Sequence, residues 1–352
     1  MSATSPLSAE AIAAVDPSGQ AADVIGLPEH LRDALWRVES ANLAPEDSPG
    51  GLVVAAMGGS AIGGLLAIAA LGDRASRPIF VARDYGLPAW TTPDTTVLCS
   101  SYSGETEETL AAYEAAGALG ARRIVATSGG TLAATARADG VPVIPLPGGF
   151  QPRAAVGYGL VVALEVASLA GCGEQLRTEI DVAAAHAERL VAEWGPDGPE
   201  DSLPKSVARG LNDTVPQIAG AGLTSAVAYR WKCQINENSK LPAFAHELPE
   251  LDHNEIVGWS GAPDLARFSA VFLDDADLHP RARQRIELTR ALIEPSAAST
   301  FVVQTQGESA TERLLSLVLL GDLVSLYLAV LRGVDPSAVD SLVRLKRTLA
   351  GG

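Results

Sequence analysis

The chain has 352 residues, enough for two domains that each bury a core, and a content of 47% hydrophobic, 19% charged and 5% aromatic residues describes an Ala/Val/Leu-rich globular α/β protein. Its 26 Lys and Arg against 42 Asp and Glu leave a net charge of −16, a field that opposes nonspecific attachment to nucleic acid or to an anionic membrane. Any anionic ligand must therefore be held by local donors, because long-range steering works against it. Cys99, Cys172 and Cys233 are far apart with no C-x-x-C, which reads as buried thiols rather than bridges or metal ligands.

Residues 1–50 read as a mobile leader and a short helix over Leu27–Ala41. The first twenty residues lack the basic segment and apolar core of a signal peptide. No run reaches the roughly 18 continuous apolar residues of a membrane helix, so a cytoplasmic protein is expected. Apolar strand-like runs then alternate with helical patterns. The strands are predicted at Leu52–Met57, Pro78–Ala82, Thr96–Ser101, Arg123–Ser128 and Val141–Leu146, and the helices at Ile62–Leu71, Thr106–Gly120, Leu132–Ala138 and Ala154–Leu169. A long amphipathic helix, Glu174–Trp194, leads into the Gly/Pro/acidic run GPDGPEDSLPK, a linker candidate. Beyond it the alternation resumes. Helices are predicted near Ser206–Leu211 and over Thr224–Ser239, Pro280–Ile293, Thr311–Arg332 and Ser337–Leu349, with strands at Thr214–Ala219, Phe268–Leu273 and Phe301–Thr305. Such alternation predicts an α/β fold of two doubly wound parallel-sheet domains. The expected division is 1–50 leader and helix, 51–172 first domain, 173–204 connecting helix and linker, and 205–352 second domain with C-terminal helices.

Three predicted strand ends in the first half run into small or hydroxyl residues: MGGSAIGG (57–64), SYSGETEE (101–108) and TSGGTL (127–132). Ligands of open α/β sheets bind beyond the carboxyl ends of the strands, where helix N-termini offer N–H groups that suit a phosphate. Serine and threonine add neutral donors, so these turns are read as a phosphate cradle. Glu107 and Glu108 fall in a first helical turn, where carboxylates favour the dipole; Glu105 has no such account. A dinucleotide fingerprint fails because Ser60 replaces the central glycine, a P-loop fails for want of G-K-[ST], and Ile62 spoils a nucleophile elbow.

GGSAIGG and SYSGETEET resemble the sugar-isomerase (SIS) domain shared by phosphosugar isomerases and phosphosugar-sensing regulators. That likeness implies that Ser101, Ser103 and Thr106 hold the phosphate, with Ser60 beside them and Gly59 near the sugar. The stretch WKCQINENSKLPAFAHELPELDHNEIVGW (231–259), with QPR at 151–153 and the C-terminal lysine helix, resembles the bifunctional phosphoglucose/phosphomannose isomerases from about residue 50 onward. The resemblance implies a cofactor-free interconversion of glucose 6-phosphate, and mannose 6-phosphate, with fructose 6-phosphate through a cis-enediol. It makes Glu237 the base, His253 and Lys346 the ring-opening pair, and Arg153 the enediolate stabiliser. Ser337 stands near the place of the family's mannose-accommodating threonine. It further implies a homodimer in which the histidine comes from the neighbouring subunit. A noncatalytic sugar-phosphate sensor and an isomerase of another phosphosugar are the alternatives. HELPELDHNE (246–255) mimics a metal site, but Glu250 stands where the second zincin histidine belongs and Pro249 breaks the helix, so no metal is expected.

Overall fold

The computed structural model describes residues 6–350, and the chain divides into two compact units. The first unit is Gly26–Glu188 with Gln306–Ser316; the second is the chain up to Ile25, Arg189–Thr305, and Leu317 onward. These boundaries differ from the expected ones in kind, because both units are built from separated stretches of chain. The helix Leu27–Ser40 belongs with the first unit, and the division falls inside the helices Arg177–Trp194 and Ala310–Arg332. Residues 1–5 of the expected leader and 351–352 of the expected second domain lie outside the described residues.

The rest of the leader is folded rather than mobile. Ala9–Ala13 and Gln20–Ile25 are helical, Leu7 is fully buried, and its N–H donates to the Glu200 carboxylate at 3.2 Å. Local capping explains why a weakly apolar stretch orders. The Ser8 side chain accepts from the Ala11 N–H, and Asp16 accepts from the N–H groups of Gln20 and Ala21 at 2.9 and 2.8 Å.

In the first unit β1 (Leu52–Ala56), β2 (Ile79–Ala82), β3 (Thr96–Ser100), β4 (Arg122–Thr127) and β5 (Val143–Pro145) form one parallel sheet in the order β2-β1-β3-β4-β5. β1 and β3 are buried at every position, as befits central strands covered on both faces, which is why they read as unbroken apolar runs. The winding reverses between β1 and β3, so the crevice for a ligand opens there.

The second unit repeats the scheme with β6 (Val215–Gly220), β7 (Phe244–Glu247), β8 (Phe268–Asp274) and β9 (Ser299–Gln304), all parallel in the order β7-β6-β8-β9. Its winding reverses between β6 and β8. The edge strand β7, which no apolar run announces, is added to the predicted set. Ala310–Arg332 is long and apolar enough to cross a membrane by length and composition, and 89% of its most apolar window is buried inside the fold, as in a core helix.

Candidate functional site

The residues after β1 and β3 meet at the switch point of the first sheet. Ser60 stands in the first turn of the helix Gly58–Leu71, and its Oγ accepts the Tyr102 N–H at 3.2 Å, joining the two turns. Ser101 is buried, shares a hydrogen bond with Thr106 between their hydroxyls at 2.9 Å, and accepts the Gly104 N–H at 3.1 Å. Ser103 is exposed, its Oγ taking the Glu105 N–H at 3.2 Å. Thr106 is the N-cap residue of the helix Glu107–Leu119 but makes no side-chain cap. The first-turn N–H groups of that helix therefore keep no side-chain acceptor from their cap, which is the condition for an anion to take the place.

Arg153 reaches the same end of the sheet. A Cβ on Gly59 would come within 2.8 Å of the Pro152 carbonyl oxygen and 2.9 Å of the Arg153 nitrogen, so only glycine lets the QPR backbone lie against the start of the helix. The Arg153 side chain is buried. Gly59, Ser60, Ser101, Thr106 and Arg153 are thus gathered at one place in one unit.

The third turn behaves differently from the expectation. Glu105 places its carboxylate on the N-terminus of the helix Gly130–Ala138, accepting the Thr131 N–H at 2.7 Å and the Thr131 hydroxyl at 2.8 Å. That anchors the glutamate the sequence left unexplained, and it fills with the protein's own anion the position proposed for a phosphate. The two turns are pressed together. Gly104 and Gly130 both have positive φ, and a Cβ would come within 2.0 Å of the Gly129 oxygen at the first and 2.4 Å of the Ser103 oxygen at the second.

In the second unit Glu237 lies near the C-terminal end of the helix Ser225–Ser239 and is half-buried. Its neighbours hold the chain. Asn236 Oδ1 accepts the Ala243 N–H at 2.8 Å, and the buried Asn238 amide donates to Ser325 Oγ at 2.8 Å. Lys240 Nζ donates to the Glu237 carbonyl at 2.5 Å and to the Pro336 carbonyl at 3.2 Å, which ties the segment of the buried Ser337 to the end of that helix. His253 ends a short 3-10 turn, Glu250–His253, and Lys346 lies on the helix Asp340–Ala350; both are exposed. Among the described residues no hydrogen bond or ion pair joins either of them to the other candidates.

A family model for the bacterial phospho-glucose isomerase C-terminal SIS domain matches residues 200–349. The bifunctional phosphoglucose/phosphomannose isomerase of Caldicellulosiruptor bescii is 40% identical over 332 residues, 93% of this chain and 98% of that one. This chain belongs to the bifunctional phosphoglucose/phosphomannose isomerase family. The relative of the same name in Aquifex aeolicus is 36% identical over 300 residues, 85% of this chain and 90% of that one. A solved structure of a hypothetical Thermus thermophilus protein shares the fold with a TM-score of 0.69 at 18% identity, over 95% of this chain and 91% of that one.

Within this isomerase-family chain, residue-by-residue reading missed Tyr102, which a sequence presents only as a spacer between two serines. It also missed the partner of Glu105, because Thr131 lies 26 residues away. Among the described residues no group of three or more His, Cys, Asp or Glu side chains is placed to hold a metal ion. In HELPELDHNE, His246 instead pairs its Nδ1 with Glu255 at 3.1 Å and its Nε2 with Gln217. It borders an apolar cavity of about 180 Å³ against β6 and β8, which none of the candidate site residues lines.

Proposed function

We propose that this chain is an aldose–ketose isomerase that interconverts glucose 6-phosphate and mannose 6-phosphate with fructose 6-phosphate. One observation carries the reading: a cluster of uncharged donors at the first switch point, with the Arg153 backbone against Gly59, in a chain that is 40% identical to a bifunctional isomerase over almost its whole length.

The chemistry assigns each residue a task. The Ser101, Ser103 and Thr106 hydroxyls, with Ser60 and the open helix N-terminus, hold the substrate phosphate by neutral hydrogen bonds, which a chain of charge −16 requires. His253 and Lys346 open the pyranose ring by moving a proton between O1 and O5. The Glu237 carboxylate then takes the proton from C2 of the aldose and returns it to C1 through a cis-enediol intermediate, and Arg153 stabilises the negative oxygen of its enediolate form. Gly59 lies against the sugar, and Ser337 contributes to accommodating mannose. The base needs a carboxylate that is ionised yet partly withdrawn from water, and Glu237 is half-buried on a helix end held rigid by its two asparagine neighbours. The exposure of both His253 and Lys346 favours a homodimer in which the histidine works in the partner's active site.

A coupled assay for fructose 6-phosphate, supplied with glucose 6-phosphate and then mannose 6-phosphate, tests the proposal on purified protein. Turnover of both is expected. Binding of either sugar phosphate without turnover assigns the chain to the noncatalytic sensors, and turnover of a different phosphosugar alone moves it to another isomerase of this fold.

A further inference from the structure

Tyr102 stands between the two serines of the phosphate turn, buried, and it is bonded in three directions. Its N–H donates to Ser60 Oγ at 3.2 Å, beyond β1. Its carbonyl accepts the Ser128 N–H at 3.0 Å and the Ser128 hydroxyl at 2.6 Å, beyond β4. Its phenolic hydroxyl donates to the Pro147 carbonyl at 2.8 Å and accepts the Phe150 N–H at 2.8 Å, so one oxygen grips the loop after β5 at two points. The far side of that loop is also held. The Phe150 ring packs edge-on against His30 at 4.7 Å and against Tyr158 at 5.9 Å, and the Tyr158 hydroxyl donates to Asp33 at 2.8 Å. Three residues after Phe150 comes Arg153, whose backbone lies against Gly59.

We propose that Tyr102 is a positioning residue that sets the guanidinium of Arg153 relative to the phosphate turn, coupling the hold on the substrate to the stabilisation of its enediolate. The inference rests on the function proposed above. Phosphate and enediolate lie at opposite ends of one hexose, so the distance between their two binding groups decides whether a held substrate is held reactively. One side chain rooted in the phosphate turn, and tied by its tip to the loop of the arginine, fixes that distance. Displacement of a catalytic group by about 1 Å costs on the order of a hundredfold in rate, and a loop released on one side but still packed on the other moves by less.

Tyr102→Phe keeps the ring and deletes the grip. The expected result is a kcat lower by about tenfold with KM for glucose 6-phosphate within about twofold, because the phosphate turn is intact and the loss falls on the transition state. Amide hydrogen exchange at Phe150 should accelerate in the same variant. The decisive arm is a double-mutant cycle with Arg153→Lys: if Tyr102 acts through Arg153, adding Tyr102→Phe to Arg153→Lys leaves kcat unchanged to within about twofold. Full additivity of the two lesions overturns the proposal, as does faster exchange at Phe150 with an unaltered kcat. If the wild type turns over none of these hexose phosphates, it is the functional reading that fails; exchange at Phe150 still reports on the grip.

Discussion

At the switch point of the first sheet the chain presents Gly58, Gly59 and Ser60 after β1 and Ser101 to Thr106 after β3. At the equivalent place in the second sheet it presents Ala221 to Thr224 after β6 and the carboxylates Asp274 and Asp275 at the end of β8. The two sheets are wound alike, so each has a crevice where its order reverses. In the second unit that crevice is spent on internal bonds. Thr224 Oγ1 accepts the Ala221 N–H at 2.9 Å and donates to the Leu273 carbonyl at 2.8 Å. Asp274 pairs with Arg283 at 3.2 Å, Asp275 accepts the Thr305 hydroxyl at 3.0 Å, and both aspartates are buried. A phosphate would meet two carboxylates there, whereas in the first unit it meets hydroxyls and open N–H groups. Winding supplies a place; the few residues at the strand ends decide what the place can hold. On the proposed reading the second unit therefore contributes reactive groups, Glu237 and His253, and leaves phosphate recognition to the first.

The sharpest way to break that division of labour is at Glu237. Glu237→Gln should lower kcat by several orders of magnitude and leave KM nearly unchanged, since the lost group acts in the transition state. A variant within about threefold of wild type would remove the base from the second unit altogether. Subunit mixing sharpens the same point. If the chain forms the proposed dimer with shared sites, then with His253→Ala and Glu237→Gln proteins exchanged freely in equal amounts about half the dimers pair one of each, and each such dimer has one intact site of two. Recovery towards about one quarter of wild-type activity is expected from two almost inactive parents. No recovery, with exchange verified by mass spectrometry, would place both residues in one chain's site.

A smaller effect tests the first unit against the second directly. Thr106→Ala should weaken every phosphorylated substrate and inorganic phosphate by roughly ten- to hundredfold, the worth of a hydrogen bond to a charged group. Thr224→Ala, the comparable threonine after β6, should lower the melting temperature and leave phosphate affinity alone. Equal losses of affinity in the two variants, measured by calorimetry, would erase the contrast. The smallest effect belongs to Glu105. Glu105→Ala should cost about 1 kcal/mol of stability through the lost cap at Thr131, seen as a lower thermal midpoint, with no loss of phosphate affinity. A tenfold loss would return the third turn to the phosphate site.

The central strands and the helices between them were legible because both sheets are parallel and covered, which turns each buried strand into an unbroken apolar run. β7 escaped because it is an edge: Phe244 is half exposed, His246 and Glu247 are polar, and nothing in FAHE distinguishes such a strand from a loop. The two leader helices escaped because their order comes from caps at Ser8 and Asp16 and from Leu7 sinking into a core assembled almost two hundred residues later. In the candidate site the hydroxyl turns were visible as composition. The role of Glu105 was not, since a carboxylate in a turn looks alike whether it faces water or the next helix. Glu237, His253, Lys346 and Arg153 were singled out only through a family likeness, for no spacing among residues 153, 237, 253 and 346 would group them.

Each unit is assembled from stretches that lie far apart in the chain, and this has a consequence for how the protein is made. The first five strands leave the ribosome early, but their unit is completed by residues 306–316. The second unit includes both the opening helices and everything after Leu317. The first unit cannot be complete until residues 306–316 have been synthesised, and Leu7 near the start of the chain must wait for Glu200, whose carboxylate its N–H meets. Cutting the gene between residues 188 and 189 would separate residues 306–316 from the first unit and the opening helices from the second, so a cut that parts the two sheets still leaves each unit short of a piece.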